Sequence, residues 1–231
     1  MPAATKNHKI IAHENPRSPI SESYKMLRTN IQFTSPDKPV HSILITSPEP
    51  GAGKSTTSVN LAVTFAQEGK KVVIVDADMR NPTQHFYFAK SNRSGLSNTL
   101  AGQMPLQQCL LDTYIENLTL LPSGVIPPNP AEMLSSNRMN QLMADLKEQF
   151  DIIIVDSPPV LAVTDAQVLA TKCDGVLCVL NAGKVKRQVA QKTLKRLEYV
   201  NATILGVVLN KIQYKKSDAL YSYYYTNHKN S

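Results

Sequence analysis

The stretch Ile43-Leu44-Ile45-Thr46-Ser47-Pro48-Glu49-Pro50-Gly51-Ala52-Gly53-Lys54-Ser55-Thr56 decides the fold. An apolar run of strand length enters a glycine turn, and a lysine followed by hydroxyl residues opens a helical pattern that continues through Val59 and Phe65. Strand, turn and helix start present several backbone N–H groups to one anion, with the positive end of the helix dipole behind them. Pro50, Gly51, Ala52, Gly53, Lys54, Ser55 and Thr56 are therefore expected to form a phosphate-binding loop. In it Lys54 neutralises the β- and γ-phosphates of a nucleoside triphosphate, and Ser55 gives its hydroxyl to Mg²⁺. The general pattern G-x-x-x-x-G-K-[ST] has glycine where this chain has Pro48, so only its second half is orthodox.

Outward from this loop, apolar runs of strand length recur at Ser42–Thr46, Lys71–Val75, Leu118–Leu121, Ile152–Val155, Val176–Leu180 and Ile204–Leu209. Most are continuous rather than alternating, which means burial on both faces and hence a largely parallel sheet between helical layers. Helices are expected over Ser55–Gln67, over Val185–Leu197, and from Asn129–Pro130 through Leu134, Leu142, Leu146 and Phe150 as one element. The fold class is α/β, a three-layer P-loop NTPase-like domain with a mostly parallel central sheet. Residues 1–17 are polar and without period, and are expected to be a flexible or loosely docked arm. A helix follows from Ser18, with Ile20, Tyr24, Leu27 and Ile31 as an apolar stripe and Glu22, Lys25 and Arg28 as a charged ridge. The domain runs over 18–216, and 217–231 is a tyrosine-rich tail.

Composition narrows the class. With 231 residues, 42% hydrophobic and 19% charged, the chain is one ordinary globular domain with tails. No apolar run approaches the roughly 20 residues that span a bilayer, and Met1–His13 has no signal-peptide core, so a cytoplasmic location is expected. Cys109, Cys173 and Cys178 are spaced for neither a disulfide framework nor a zinc site. The net charge of +7 is concentrated at Lys184, Lys186, Arg187, Lys192, Lys195 and Arg196, then Lys211, Lys215 and Lys216. Such a cluster suits phosphates, an anionic membrane surface, an acidic partner, or simply a solvated helix face.

Two carboxylates, Asp76 and Asp78, stand at the carboxyl end of the Lys71–Val75 run, the edge where α/β sheets bind ligands. Ile152-Ile153-Ile154-Val155-Asp156 has the form of a Walker B strand with Asp156 beside the metal. Mg²⁺ prefers oxygen ligands and retains waters, so Ser55, Asp78, Asp156 and the phosphates would suffice. Asp76 is the candidate base. Arg80 has two readings, a phosphate contact or an ion pair to a nearby carboxylate. Asn210 and Lys211 end the last strand, where an amide could read an adenine edge.

At the other end, Tyr221, Tyr223, Tyr224 and Tyr225 crowd four aromatics into a hydrophilic terminus. One reading has them tacking the tail to the domain or a partner. The other makes their hydroxyls phosphate acceptors.

The run Pro50–Thr56, the stretch Ile74–Arg80, the run Ile154–Pro159 and the terminal tyrosines together resemble the bacterial tyrosine kinases of capsular and exopolysaccharide biosynthesis. The likeness is to their split cytoplasmic form and covers nearly the whole chain from Ser21. The resemblance implies ATP and Mg²⁺ as cofactors and autophosphorylation of the tail tyrosines in trans within a homo-oligomeric ring. It also implies a transmembrane adaptor of the polysaccharide co-polymerase type that recruits and activates the chain at the inner face of the cell membrane. Protein substrates would belong to sugar-nucleotide and polysaccharide synthesis. In the family Lys54 binds phosphate, Ser55, Asp78 and Asp156 organise Mg²⁺, and Asp76 is the proposed acceptor of the tyrosine proton. Its assembly motif E-x-x-R-x-x-R appears as Glu22, Lys25 and Arg28, with lysine replacing a bidentate donor at the middle position.

The nearest alternative is a partition or cell-division ATPase switch of the same superfamily. Those proteins place a lysine early in the loop, where this chain has Glu49 followed by Pro50. A nucleic-acid-binding module built on the 184–196 face would show a steep salt dependence, but nucleic acid is not the expected partner.

Overall fold

The computed structural model describes residues 8–34 and 39–212. In chain order the elements are α1 (Ile11–Glu14), α2 (Pro19–Thr34), β1 (Ser42–Thr46), α3 (Lys54–Ala66), β2 (Val72–Asp76), α4 (Gln84–Tyr87), α5 (Leu96–Leu100), α6 (Leu106–Cys109) and β3 (Leu111–Asp112). They continue with β4 (Leu118–Leu121), α7 (Pro130–Ser135), α8 (Asn137–Gln149), β5 (Ile152–Asp156), α9 (Asp165–Ala170), β6 (Gly175–Asn181), α10 (Arg187–Glu198) and β7 (Ile204–Asn210). The strands form one sheet in the order β3-β4-β2-β5-β1-β6-β7. Every neighbouring pair is parallel except β3 with β4.

Strand parity divides the core in two. Ile43 and Ile45, Val72 and Ile74, and Ile152 and Ile154 point to the face covered by α1 and α3. Leu44, Val73, Val75, Ile153 and Val155 point to the face covered by α5 through α10. Because β1, β2 and β5 are buried throughout, no position in them is left for a solvated face. This is the three-layer arrangement that the continuous apolar runs predict.

The same parity places the functional edge. Asp76 follows Val72 and Ile74, and Asp156 follows Ile152 and Ile154, so both carboxylates end on the α3 side. Register then makes them direct neighbours, Asp76 opposite Asp156. All parallel strands end at one edge, where β1 runs into the loop that starts α3.

Besides the short helices α4, α5, α6 and α9, for which the sequence carries no expectation, the structure departs from the expected elements in three places. The helix expected through Leu134 and Phe150 is two helices, because Ser136 is extended (φ −65°, ψ 159°) and its hydroxyl caps the second by accepting from Met139 N–H at 3.3 Å. The arm expected to be flexible or loosely docked over 1–17 is packed from its eighth residue on. Ile10 and Ala12 are buried, Ala12 N–H donates to Asn60 Oδ1 at 2.9 Å, and Gln67 Nε2 donates to Ala12 O at 2.9 Å. The antiparallel β3 is only two residues long, too short to leave a periodic signal.

Candidate active site

The loop between β1 and α3 has the backbone that anion binding requires. Gly51 and Gly53 adopt φ +78° and +99°, a region where any side chain is strained. At Gly53 a Cβ would also run into the amide of Asn210. The first α3 N–H with a backbone acceptor is that of Thr57, on Gly53 O at 2.9 Å. Among the described residues the N–H groups of Gly51 through Thr56 donate to nothing in the chain, so the cradle's donors are available to a ligand. Pro48 does not prevent this geometry, since the positive φ angles fall on the two glycines that the chain retains.

Under the loop, Lys54 Nζ lies 2.9 Å from Asp78 Oδ2. Asp78 Oδ1 accepts the N–H of Asn81 at 3.0 Å, which holds the turn after β2. Asp76 Oδ2 accepts two backbone N–H groups, from Thr83 and Gln84, each at 2.9 Å. Asp156 Oδ2 accepts Gln84 Nε2 at 2.8 Å. Four of the expected site residues, Lys54, Asp76, Asp78 and Asp156, therefore converge beneath one glycine loop.

Burial sets the electrostatics. It drives the Asp76 carboxyl well above the ordinary carboxylate range, and the charge of Asp156 adds to the rise against the two backbone donors. Asp156 is raised by the same burial, with Lys54, Ser55 and Gln84 pulling it down. Burial opposes the charge on Lys54, but Asp156, Asp78 and Asp76 together outweigh it and hold the ammonium above its usual pKa.

The site also fits a hydrated divalent cation. Asp76 Oδ1 and Asp156 Oδ1 are buried without a hydrogen-bond partner among the described residues. Such an atom is costly unless an ion or its water meets it. Among the described residues no three His, Cys, Asp or Glu side chains group to hold a metal. An ion here would take its remaining ligands from the Ser55 hydroxyl, water and phosphate.

The other expected residues have different surroundings. Arg80 pairs with Asp165, the second of its two readings. Asn210 Nδ2 donates to Ala52 O at 2.9 Å and Lys211 Nζ donates to Gly51 O at 2.7 Å, so the end of β7 braces the loop from outside. Beside them a cavity of about 330 Å³ is lined by Pro48, Glu49, Pro50, Asn181, Lys184 and Val185, among others. On α2, Lys25 bonds Glu22 within the helix at 2.8 Å, while Arg28 Nη1 turns inward to Thr64 O at 2.7 Å. Tyr221, Tyr223, Tyr224 and Tyr225 lie outside the described residues.

Two contributors are missing from the sequence reading. Gln84 is buried and touches three parts of the site. Tyr87, one turn later, shares a 2.8 Å hydrogen bond between its hydroxyl and that of Thr56. A polar residue one helical turn from an aromatic, just past the Asp76–Arg80 stretch, was the available signal.

The AAA domain family matches residues 40–210. The chain is 43% identical to tyrosine-protein kinase YwqD of Bacillus subtilis (strain 168), over 94% of this chain and 91% of that one. It is 39% identical to the putative tyrosine-protein kinase CapB of Staphylococcus aureus, over 93% of this chain and 94% of that one. The crystal structure of the chimerical protein CapA2B2 superposes with a TM-score of 0.86 at 44% identity, covering 89% of this chain and 90% of that one. The cell-division alternative is more distant. Septum site-determining protein MinD of Pyrococcus horikoshii OT3, complexed with Mg-ADP, reaches a TM-score of 0.66 at 25% identity over 76% of this chain and 72% of that one. Fold, glycine loop and likeness over nearly its full length agree that the chain belongs to the bacterial tyrosine-protein kinases, within the AAA domain family.

Proposed function

We propose that this kinase transfers the γ-phosphoryl group of ATP to the tyrosines at 221, 223, 224 and 225 of a neighbouring copy in a homo-oligomeric ring. The observation that carries the reading is the convergence of Lys54, Asp76, Asp78 and Asp156 under a loop whose amides are free to bind phosphate. The phenol oxygen bonds to the γ-phosphorus as the bond to the β–γ bridging oxygen breaks, ADP leaves, and Asp76 takes the phenolic proton. Lys54 and the loop amides hold the phosphates in line, which is most of what this transfer requires. Mg²⁺, when bound through Ser55, Asp78 and Asp156, supplies further neutralisation of phosphate charge.

The chain acts in the cytoplasm at the inner face of the membrane, recruited by a transmembrane adaptor, and regulates capsular or exopolysaccharide synthesis through its own and other substrates. Among the described residues no helix is long and apolar enough to cross a membrane, so this reading assigns membrane attachment to the partner. Glu22, Lys25 and Arg28 on α2 are the ring contact. Arg28 would have to leave Thr64 O, or use its remaining donors, to reach a neighbour.

Incubation with labelled ATP and Mg²⁺, with and without the adaptor's cytoplasmic tail, followed by mapping of the labelled residues, tests the proposal. Label on the tail tyrosines in the wild type, and none in Lys54→Met, is the expected result. Undiminished phosphotyrosine in Lys54→Met would overturn it.

A further inference from the structure

Gln84 stands at the first position of α4, fully buried. Its side-chain amide has two hydrogens, and Nε2 has two acceptors: Asp156 Oδ2 at 2.8 Å and the Ser55 carbonyl at 3.1 Å. Its backbone N–H joins that of Thr83 on Asp76 Oδ2. One dipeptide thus ties together the end of β5, the start of α3 and the end of β2.

The consequence lies in which oxygens remain. In Asp76 and in Asp156 alike, Oδ2 is held by this dipeptide while Oδ1 has no partner among the described residues. The last torsion of an aspartate is broad and nearly two-fold, so an untethered carboxylate presents either oxygen at little cost. The bond from Gln84 to Oδ2 fixes that torsion in Asp156 and leaves Oδ1 with both lone pairs open.

We propose that Gln84 is a positioning residue for the metal, fixing the orientation of Asp156 and the peptide of Ser55 so that both meet a Mg²⁺–nucleotide without rearrangement. The inference rests on the proposed metal role of Ser55 and Asp156. Partners that orient metal-binding groups in this way commonly alter metal affinity by about 10- to 100-fold when removed. A merely space-filling side chain would not discriminate between nucleotide with and without its cation.

The test is calorimetric titration of ADP into the full chain, across a Mg²⁺ series and in EDTA, for wild type, Gln84→Met and Gln84→Asn. Met keeps the volume and removes the donors, whereas Asn keeps the amide on a shorter stem. In both, the Mg²⁺ concentration that half-saturates the gain in nucleotide affinity should rise by about 10-fold or more. Affinity in EDTA should stay within about two-fold of wild type, a margin of less than one kcal/mol. An unchanged Mg²⁺ requirement in whichever variant melts cooperatively, or an equal loss with and without Mg²⁺, would overturn the proposal. A wild type whose nucleotide affinity ignores Mg²⁺ would overturn the metal assignment itself, and this proposal with it. Missing tail phosphorylation alongside a normal Mg²⁺ response would fault only the kinase substrate reading.

Discussion

Arg80 and Asp165 are locked by two parallel hydrogen bonds, Nε to Oδ2 at 2.9 Å and Nη2 to Oδ1 at 3.0 Å, joining the turn after β2 to the first residue of α9. The carboxylate is fully buried, while the guanidinium side chain is 43% exposed. Removing the arginine therefore strands a buried charge, with only the helix dipole to meet it. Arg80→Met should lower stability by about 1–3 kcal/mol, or roughly 3–10 °C in melting temperature. Arg80→Lys keeps the charge but loses the fork, and should fall between. Scanning calorimetry without nucleotide checks this, and a wild-type melting point for Arg80→Met would show that the pair contributes nothing.

Gly53 combines left-handed φ of +99° with the Asn210 amide where a Cβ would sit. Gly53→Ala should therefore lose nucleotide binding by about 100-fold or more, since loop amides must point at one anion to act together. Adding Asn210→Ala removes the collision but not the strained backbone, so the double variant should recover only part of the loss. Full recovery in equilibrium binding of a fluorescent nucleotide would assign the whole defect to the collision.

Asp174 is a buckle at the opposite edge of the sheet. It accepts from Ser42 N–H at 2.8 Å, the Ser42 hydroxyl at 2.9 Å and Lys147 Nζ at 2.8 Å. Burial alone would raise its pKa, but Lys147 and the two Ser42 donors outweigh it and hold the carboxyl below its usual value. A depressed folded-state pKa gives stability that is complete above the unfolded value of about 3.9 and is lost as pH falls through the folded one. The melting-temperature gap between wild type and Asp174→Ala should be constant from pH 7 to about 5 and narrow below about 4. A gap that widens in acid would reverse the assignment.

Ser136 separates α7 from α8 and caps the latter. Ser136→Ala should cost about 1 kcal/mol in urea unfolding with an unchanged m-value. No change in midpoint would mean that the cap contributes nothing.

Most of the fold was legible because both faces of the central strands are buried, so Ile152 through Val155 could be read without knowing any neighbour. Lys54, Asp76 and Asp156 were legible because strand ends and a glycine turn mark them locally. Gln84 was not: its bonds to Ser55 and Asp156 cross 29 and 72 residues, and only strand register brings those segments together. Asp165 was hidden for the same reason, 85 residues from Arg80. The break at Ser136 did have a local mark, two serines and an asparagine in succession, but the apolar spacing of Leu134, Leu142 and Leu146 concealed it. Ile10 and Ile11 were likewise the only two large aliphatic residues in adjacent positions of a polar arm, too short a run to show a period.

Since Asp76 accepts from the residues that start α4, and α4 in turn carries the amide that reaches Asp156, the segment from Asp76 to Gln84 works as a ruler. A residue inserted or deleted there would have to be absorbed by the turns between β2 and α4, or it would move Gln84 away from both neighbours at once. What the segment between Asp76 and Gln84 has to conserve for this site is therefore its span, whatever its solvent-facing side chains other than Arg80 are.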